Sequence, residues 1–477
     1  MIKSIRFNTS GMAILLLAIT FHGCRPAQKQ SEKNLAMPAA TPPMGWNSWN
    51  CLGIDATEEQ VKAVADYMAG HLKEYGWEYV VVDAGWYNPP TLTTPEWNHH
   101  LTPPQLIDEY GRLIPDPVKF PSSVGGKGFK PLADYVHSKG LKFGIHIMRG
   151  VPWNAAEENK PVKGTSYTAA DIADTVNRCE WAKTMYGINT DHPAADAYYQ
   201  SIIELYSSWG VDYIKADDMS RPFRAGEVAA LWRAASSADR RIVISLSPGA
   251  APPEAADELK ANANLWRISN DFWDSWELLK KQFEYCRKWA PFITPGHWPD
   301  ADMLALGKLR KNGVGEWEAG FHNLPPDKVK DEYSRFTPDE QLTHMNLWAI
   351  FRSPLMMGGY LPENDEFTLT LLTNRDLIRI NQRSKNNREI AYTENWSVWA
   401  AEDEDTGNTY VALFNTGEEI MEVSATFRDL GLSAVREVKD IWSGEVIPSD
   451  HDKISMSLRP HASAVFEVTG TKSKKII

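Results

Sequence analysis

Several charged side chains stand at the ends of apolar runs, and their spacing sets out a chemistry. If Val211–Ala216 is a strand, residues two apart share a face, so Lys215 and Asp217 point the same way with Tyr213 below them. An ammonium beside a carboxylate keeps it ionised, which suits a nucleophile or an electrostatic stabiliser. Leu265, Arg267, Ser269 and Asp271 share parity in the same manner, placing Arg267 one step below Asp271. Trp266, Trp273 and Trp276 crowd that segment, and apolar walls raise a carboxyl pKa, as a proton donor requires. Asp83 ends the run Tyr79–Val82, His146 lies in Leu141–Ile147, and HWPDADM carries Trp298, Asp300 and Asp302. Two differently held carboxyl groups suit carbohydrate chemistry better than a metal or thiol site.

Each acid also has a plainer reading as a helix cap or an arginine partner. Asp218 and Asp274 read as such supports. Asp300-x-Asp302 lacks a third metal ligand, and Asp403-x-Asp405-x-Gly407 lacks the downstream acid of a calcium loop and reads as a hairpin turn. His99-His100, in a Pro-rich insertion at 88–122, reads as solvated. No cysteine pair has zinc spacing, so no metal is expected.

The elements that must position these groups alternate strand and helix from about 42 to 385. Thr57 with Gln60 forms a capping box, Val61, Val64, Ala65, Met68 and Leu72 make an apolar stripe, and Gly76 ends the helix. The run YVVVD then reads as a strand buried on both faces. Further strands are expected at Leu141–Ile147 (after a helix at Pro131–Ser138), Val211–Ala216, Arg241–Ser247 and Leu265–Ser269. Repeated βα units predict a parallel sheet, closed or open. No Gly-rich nucleotide loop follows the first strand, and polar residues at the C-terminal ends of many strands favour a (β/α)8 TIM barrel with its active face there. After residue 385 alternating runs at Tyr392–Ala401, Thr409–Asn415, Met421–Thr426, Val435–Trp442, Ile454–Leu458 and Ala462–Val468 predict a C-terminal antiparallel β-sandwich domain. The chain divides as 1–23, 24–40, 41–385 and 386–477.

The chain has 477 residues, with Lys+Arg 50 against Asp+Glu 62 and a net charge of −12. That balance argues against a nucleic-acid partner. With 43% hydrophobic and 23% charged residues, whole-chain disorder, collagen and coiled coil are excluded. The 19 Trp are a surplus that suits stacking on sugar faces, although most serve the core. Lys3, Arg6 and the apolar run Met12–Ile19 read as a signal peptide over 1–23. Phe21-His22-Gly23-Cys24 resembles a bacterial lipobox, which would leave lipid on Cys24, followed by a polar tether over 24–40; Phe21 and His22 depart from its usual aliphatic and small residues, and the alternative is plain secretion with cleavage elsewhere. The expectation is an exported, periplasmic or outer-membrane-anchored lipoprotein of a Gram-negative bacterium, touching membrane only through that anchor. Cys51, Cys179 and Cys286 cannot all pair, so at least one is a free thiol.

TPPMGWNSWN at 41–50, YVVVDAGW at 79–86, DYIKADD at 212–218, RISNDFWDSW at 267–276 and GHWPDADMLALG at 296–307 together resemble glycoside hydrolase family 27. This family contains α-galactosidases, α-N-acetylgalactosaminidases and some β-L-arabinopyranosidases. The resemblance implies a retaining, cofactor-free double displacement on a carbohydrate substrate, with terminal α-galactosyl residues the default. It makes Asp217 the nucleophile and Asp271 the acid/base, and lays Trp49 against the sugar. Asp83, Lys215, Arg267 and Asp302 fall on hydroxyl ligands, and retention implies carboxyl groups about 5–5.5 Å apart.

The sequence departs from the family pattern at named positions. Ala84 replaces the second acid of a paired Asp-Asp that helps hold the 4- and 6-hydroxyls. His146 replaces a Tyr among the substrate-facing residues, SLSPG at 245–249 lacks the usual 2-position motif, and Met219 replaces a Cys, so a family disulfide is missing. Lost polarity near the 6-position fits β-L-arabinopyranose, unless Arg149 or the Pro-rich insertion compensates. α-N-acetylgalactosaminidase is a further alternative. A non-catalytic glycan-binding lipoprotein need not keep both Asp217 and Asp271.

Overall fold

A computed structural model describes residues 37–89, 104–311, 332–447 and 452–473. The signal peptide, Cys24, the tether up to residue 36 and His99-His100 lie outside the described residues. The described residues from Pro38 onward pack as one unit.

Eight strands form the ring: β1 Met44–Asn47, β2 Tyr79–Val82, β3 Lys142–Met148, β4 Tyr213–Asp217, β5 Val243–Leu246, β6 Leu265–Arg267, β7 Trp298–Asp300 and β8 Leu355–Met357. All pair in parallel, in the order β7-β6-β5-β4-β3-β2-β1-β8. Leu304, just past β7, closes the circle by bridging Met357: its N–H donates to Met356 O (2.7 Å), and its carbonyl accepts from Gly358 (2.9 Å). The closed ring brings the C-terminal strand ends around one mouth.

Local sequence explains the parts. Helix α1 (Glu58–His71) begins at the Thr57–Gln60 capping box and buries Val61, Val64, Ala65 and Met68. Every residue of β2 is buried, as a strand covered on both faces must be. Tyr79, Val81, Tyr213, Val243, Leu265 and Trp298 fill the inside of the ring together with Met303 and Met356. Gly45 is required: a Cβ there would sit 2.4 Å from the Tyr79 carbonyl oxygen on the neighbouring strand. The fourth and fifth expected strands shorten to β5 and β6. Ser269 and Asp271 leave the ladder for a loop over the mouth.

Strands β9 Ser384–Tyr392, β10 Trp396–Asp403, β11 Thr409–Asn415, β13 Leu432–Asp440 and β15 Ser463–Lys472 form one antiparallel sheet in the order β9-β10-β11-β15-β13. β12 Met421–Thr426 and β14 Lys453–Leu458 form a second. Period-two alternation decides the packing. Val398, Val411, Leu413 and Phe466 face the small sheet's Val423 and Ile454, while Trp399, Tyr410, Phe414 and Val465 join the barrel's core. The Asp403 segment is a turn: Asp403 Oδ1 accepts from the N–H groups of Asp405 and Thr406, and Arg379 holds the carboxylate. The sandwich docks on helices α2 (Trp276–Trp289) and α3 (Pro338–Phe351). His461 stacks on Trp276 with centroids 3.7 Å apart, and Thr343 donates to the His461 carbonyl (2.6 Å). Cys51, Cys179 and Cys286 are all buried free thiols.

Candidate active site

Asp217 is the last residue of β4, beside β3, and register pairs it with Met148. Its Oδ2 lies 3.2 Å from His146 Nε2, and its Oδ1 accepts from the Asp218 N–H (3.1 Å) and the Ser247 hydroxyl (3.5 Å). Lys215 shares its face, but the ammonium reaches Asp83 Oδ2 (2.7 Å) rather than Asp217. The long side chain crosses the mouth to the end of β2, and Asp217 takes its direct partners from β3 and the segment after β5. Asn47 donates to the same Asp83 oxygen (2.7 Å), and the Ala84 N–H donates to the other (2.8 Å). Burial alone would raise the Asp83 carboxyl. Lys215 and His146, with the Lys215 and Ala84 hydrogen bonds, hold it down at about 2.

The second half of the mouth is built on β6 and β7. The buried Arg267 guanidinium lies 2.6 Å from Asp302 Oδ2 and 3.3 Å from Asp271 Oδ1. The Phe272 N–H also donates to Asp302 Oδ2 (2.7 Å), which ties the Asp271 segment to β7. Asp271 is 38% exposed at its side chain, against 15% for Asp217, so it is the carboxyl presented to an incoming group. Desolvation raises its carboxyl; Arg267 opposes this, Asp302 reinforces it, Lys215 opposes it and Asp217 reinforces it. The two acids therefore share one electrostatic field, and that field biases Asp271 toward holding a proton. Trp49 is half-buried against the inner cluster of the ring, its N–H donating to Asn47 Oδ1 (2.9 Å). Lys215, Ser245, Arg267, Asp300 and Asp302 line a cavity of about 20 Å³ at the floor, room for about one water.

Arg149 does not compensate for Ala84. It is buried between Asp218 (2.7 Å) and Glu227 (2.6 Å), and also donates to the Asn177 carbonyl (3.1 Å). Its donors are committed behind the Asp217–Asp218 segment. Asp218 and Asp274 are salt-bridged, the latter to Arg310. Asn47 and Ser247 were missed by the sequence reading. Asn47 sits at a strand end like the acids, which is the signal that could have found it.

Behind Asp302 lies His344, wholly buried against Phe272 and Trp348, with no hydrogen-bond partner on either ring nitrogen among the described residues. Burial pushes it down to about 3 from an ordinary 6.5. The unfolded chain then binds more protons between those values, so stability falls as pH drops from 6.5 toward 3. His344→Leu should remove a few kcal/mol of that loss. Denaturant melts at pH 7 and pH 4.5 check this, and an equal pH dependence in both proteins would refute it.

The chain matches the family profile "Alpha galactosidase A" over 41–156 and 181–313, and "Alpha galactosidase C-terminal beta sandwich domain" over 393–468. It is 30% identical over 437 residues to an α-galactosidase of Coffea arabica, covering 90% of this chain and 94% of that one. A crystal structure of a glycoside hydrolase family 27 β-L-arabinopyranosidase from Geobacillus stearothermophilus aligns with TM-score 0.85 and 44% identity, covering 92% of this chain and 97% of that one. A Bacillus halodurans protein with a proposed α-N-acetylgalactosaminidase assignment aligns at 0.79 and 43%, covering 91% and 99%. A closed parallel barrel with two carboxyl groups at one mouth, a C-terminal sandwich and these matches together place the chain in glycoside hydrolase family 27, and it is a glycosidase.

Proposed function

We propose that the protein is a retaining exo-β-L-arabinopyranosidase. Ala84 carries the reading. β-L-Arabinopyranose has the ring configuration of α-D-galactopyranose without the C6 hydroxymethyl. Ala84 is buried beside Asp83, its side chain is a methyl, and its N–H is already donated to Asp83. A hydroxymethyl there would lose its water without gaining a side-chain acceptor, whereas a bare C5 methylene loses nothing. The 44% identity to the Geobacillus stearothermophilus enzyme supports the same choice.

In this reading Asp217 attacks the anomeric carbon while Asp271 protonates the leaving oxygen. A covalent glycosyl-enzyme forms and the aglycone departs. Asp271, now ionised, takes a proton from water, whose oxygen displaces Asp217 and frees the sugar with its configuration retained. Asp83 with Lys215, and Arg267 with Asp302, present fixed charges to the ring hydroxyls.

The test is kcat/KM on 4-nitrophenyl β-L-arabinopyranoside, α-D-galactopyranoside and α-N-acetylgalactosaminide. The arabinoside should lead by about tenfold or more, and Ala84→Asp should narrow the gap by raising activity on the galactoside. A wild-type preference for the galactoside would overturn the reading and restore α-galactosidase.

A further inference from the structure

Asp302 has a left-handed backbone, φ +81°, a conformation strained for a side chain other than glycine. Its surroundings hold it there. Its N–H donates to Asp300 Oδ1 (2.9 Å), its carbonyl accepts from the Trp348 indole (2.8 Å), and the preceding Ala301 N–H donates to Ser353 (3.0 Å). Asp300 is the member with a charge, and the resemblance to the family assigns it no task.

Asp300 is buried at the end of β7 and faces the floor cavity shared with Lys215, Arg267 and Asp302. The charged and titratable groups acting on it or acted on by it are Arg267 on β6, Asp302 on its own segment, and Lys215 and Tyr213 on β4. Asp271 feels Arg267, Asp302, Lys215 and Asp217. Arg267, Asp302 and Lys215 are thus common to both, and of these Arg267 lies 3.3 Å from Asp271, with Asp300 among the anions that stabilise its charge.

We propose that Asp300 is a positioning residue for acid/base catalysis: it fixes the Asp302 turn and, through Arg267, sets how firmly Asp271 keeps its proton. Removing the Asp300 charge leaves Arg267 less neutralised. The local potential becomes more positive and favours ionised Asp271, which then loses its proton at lower pH. Burial, reinforced by Asp302 and opposed by Arg267, places Asp300 itself at about 6, so its charge is present on the alkaline side, where the acid limb of a glycosidase falls.

The inference rests on Asp271 as the acid. Asp300→Asn keeps an oxygen to accept the Asp302 N–H and removes the charge. Asp300→Ser does the same with a smaller group, through the hydroxyl-to-backbone turn such residues form. The measurement is the pH profile of kcat/KM from pH 4 to 9, with thermal melting beside it. The expected result is a melting temperature within a few degrees of wild type and an alkaline limb moved down by about half a unit or more. Melting unchanged with a superimposable limb would overturn the proposal and leave Asp300 as a turn acceptor. Failure of both variants to fold would assign it to stability and overturn the proposal equally. A wild-type profile with no alkaline limb would instead remove the acid reading of Asp271, so the two failures are distinguishable.

Discussion

Asp217→Asn lowers turnover by on the order of 10⁴-fold or more, while the sugar still binds. In the proposed mechanism Asp217 forms the covalent bond on which the second displacement depends, and an amide oxygen is too weak a nucleophile to replace it. The substitution is nearly isosteric. Asn offers an oxygen to the Asp218 N–H and the Ser247 hydroxyl that Asp217 serves now, so the mouth keeps its shape. The Asp83–Lys215 and Arg267–Asp302 pairs are untouched. Stopped assays for turnover and calorimetry with L-arabinose for binding separate the two effects. Residual kcat within tenfold of wild type would exclude Asp217 as nucleophile, and loss of binding together with activity would show a collapsed site.

Asp271→Asn has a different signature. An amide cannot give a proton to the leaving oxygen, so kcat/KM should fall by about 10²–10⁴-fold for alkyl or sugar leaving groups. Activated aryl glycosides, whose phenolates leave without help, should lose far less in kcat/KM. Their kcat should still drop, because in the proposed mechanism the residue is also the base for the attacking water. The alkaline limb of the wild-type profile should vanish too. Activity needs the protonated form, so in the wild type it declines as pH rises past the elevated value of Asp271. Equal loss of kcat/KM across a leaving-group series, or an unchanged limb, would remove Asp271 from the acid role.

Parity along single strands was legible in the sequence: Lys215 and Asp217 share a face, and Arg267 lies under Asp271. So were the capping box of α1 and the alternation of the C-terminal strands, because both are rules about neighbours three or two residues apart. What stayed hidden was contact between strands. The sequence put Lys215 next to Asp217, yet its ammonium spans to Asp83, 132 residues away. Arg149 looked free to meet substrate, and nothing local announced that Asp218 and Glu227 enclose it. Asp300 passed as half of a rejected metal pair, because its task is to hold a backbone turn that only the folded ring creates.

The stacked Trp276–His461 rings lie at the start of the helix that carries the chain away from Asp271. The sandwich therefore buttresses the helix that follows the Asp271 segment. A barrel severed near residue 385 would bare Trp276, Phe283 and the Thr343–Asn346 face to water. Cut there, the chain should give a barrel that associates through the bared apolar face.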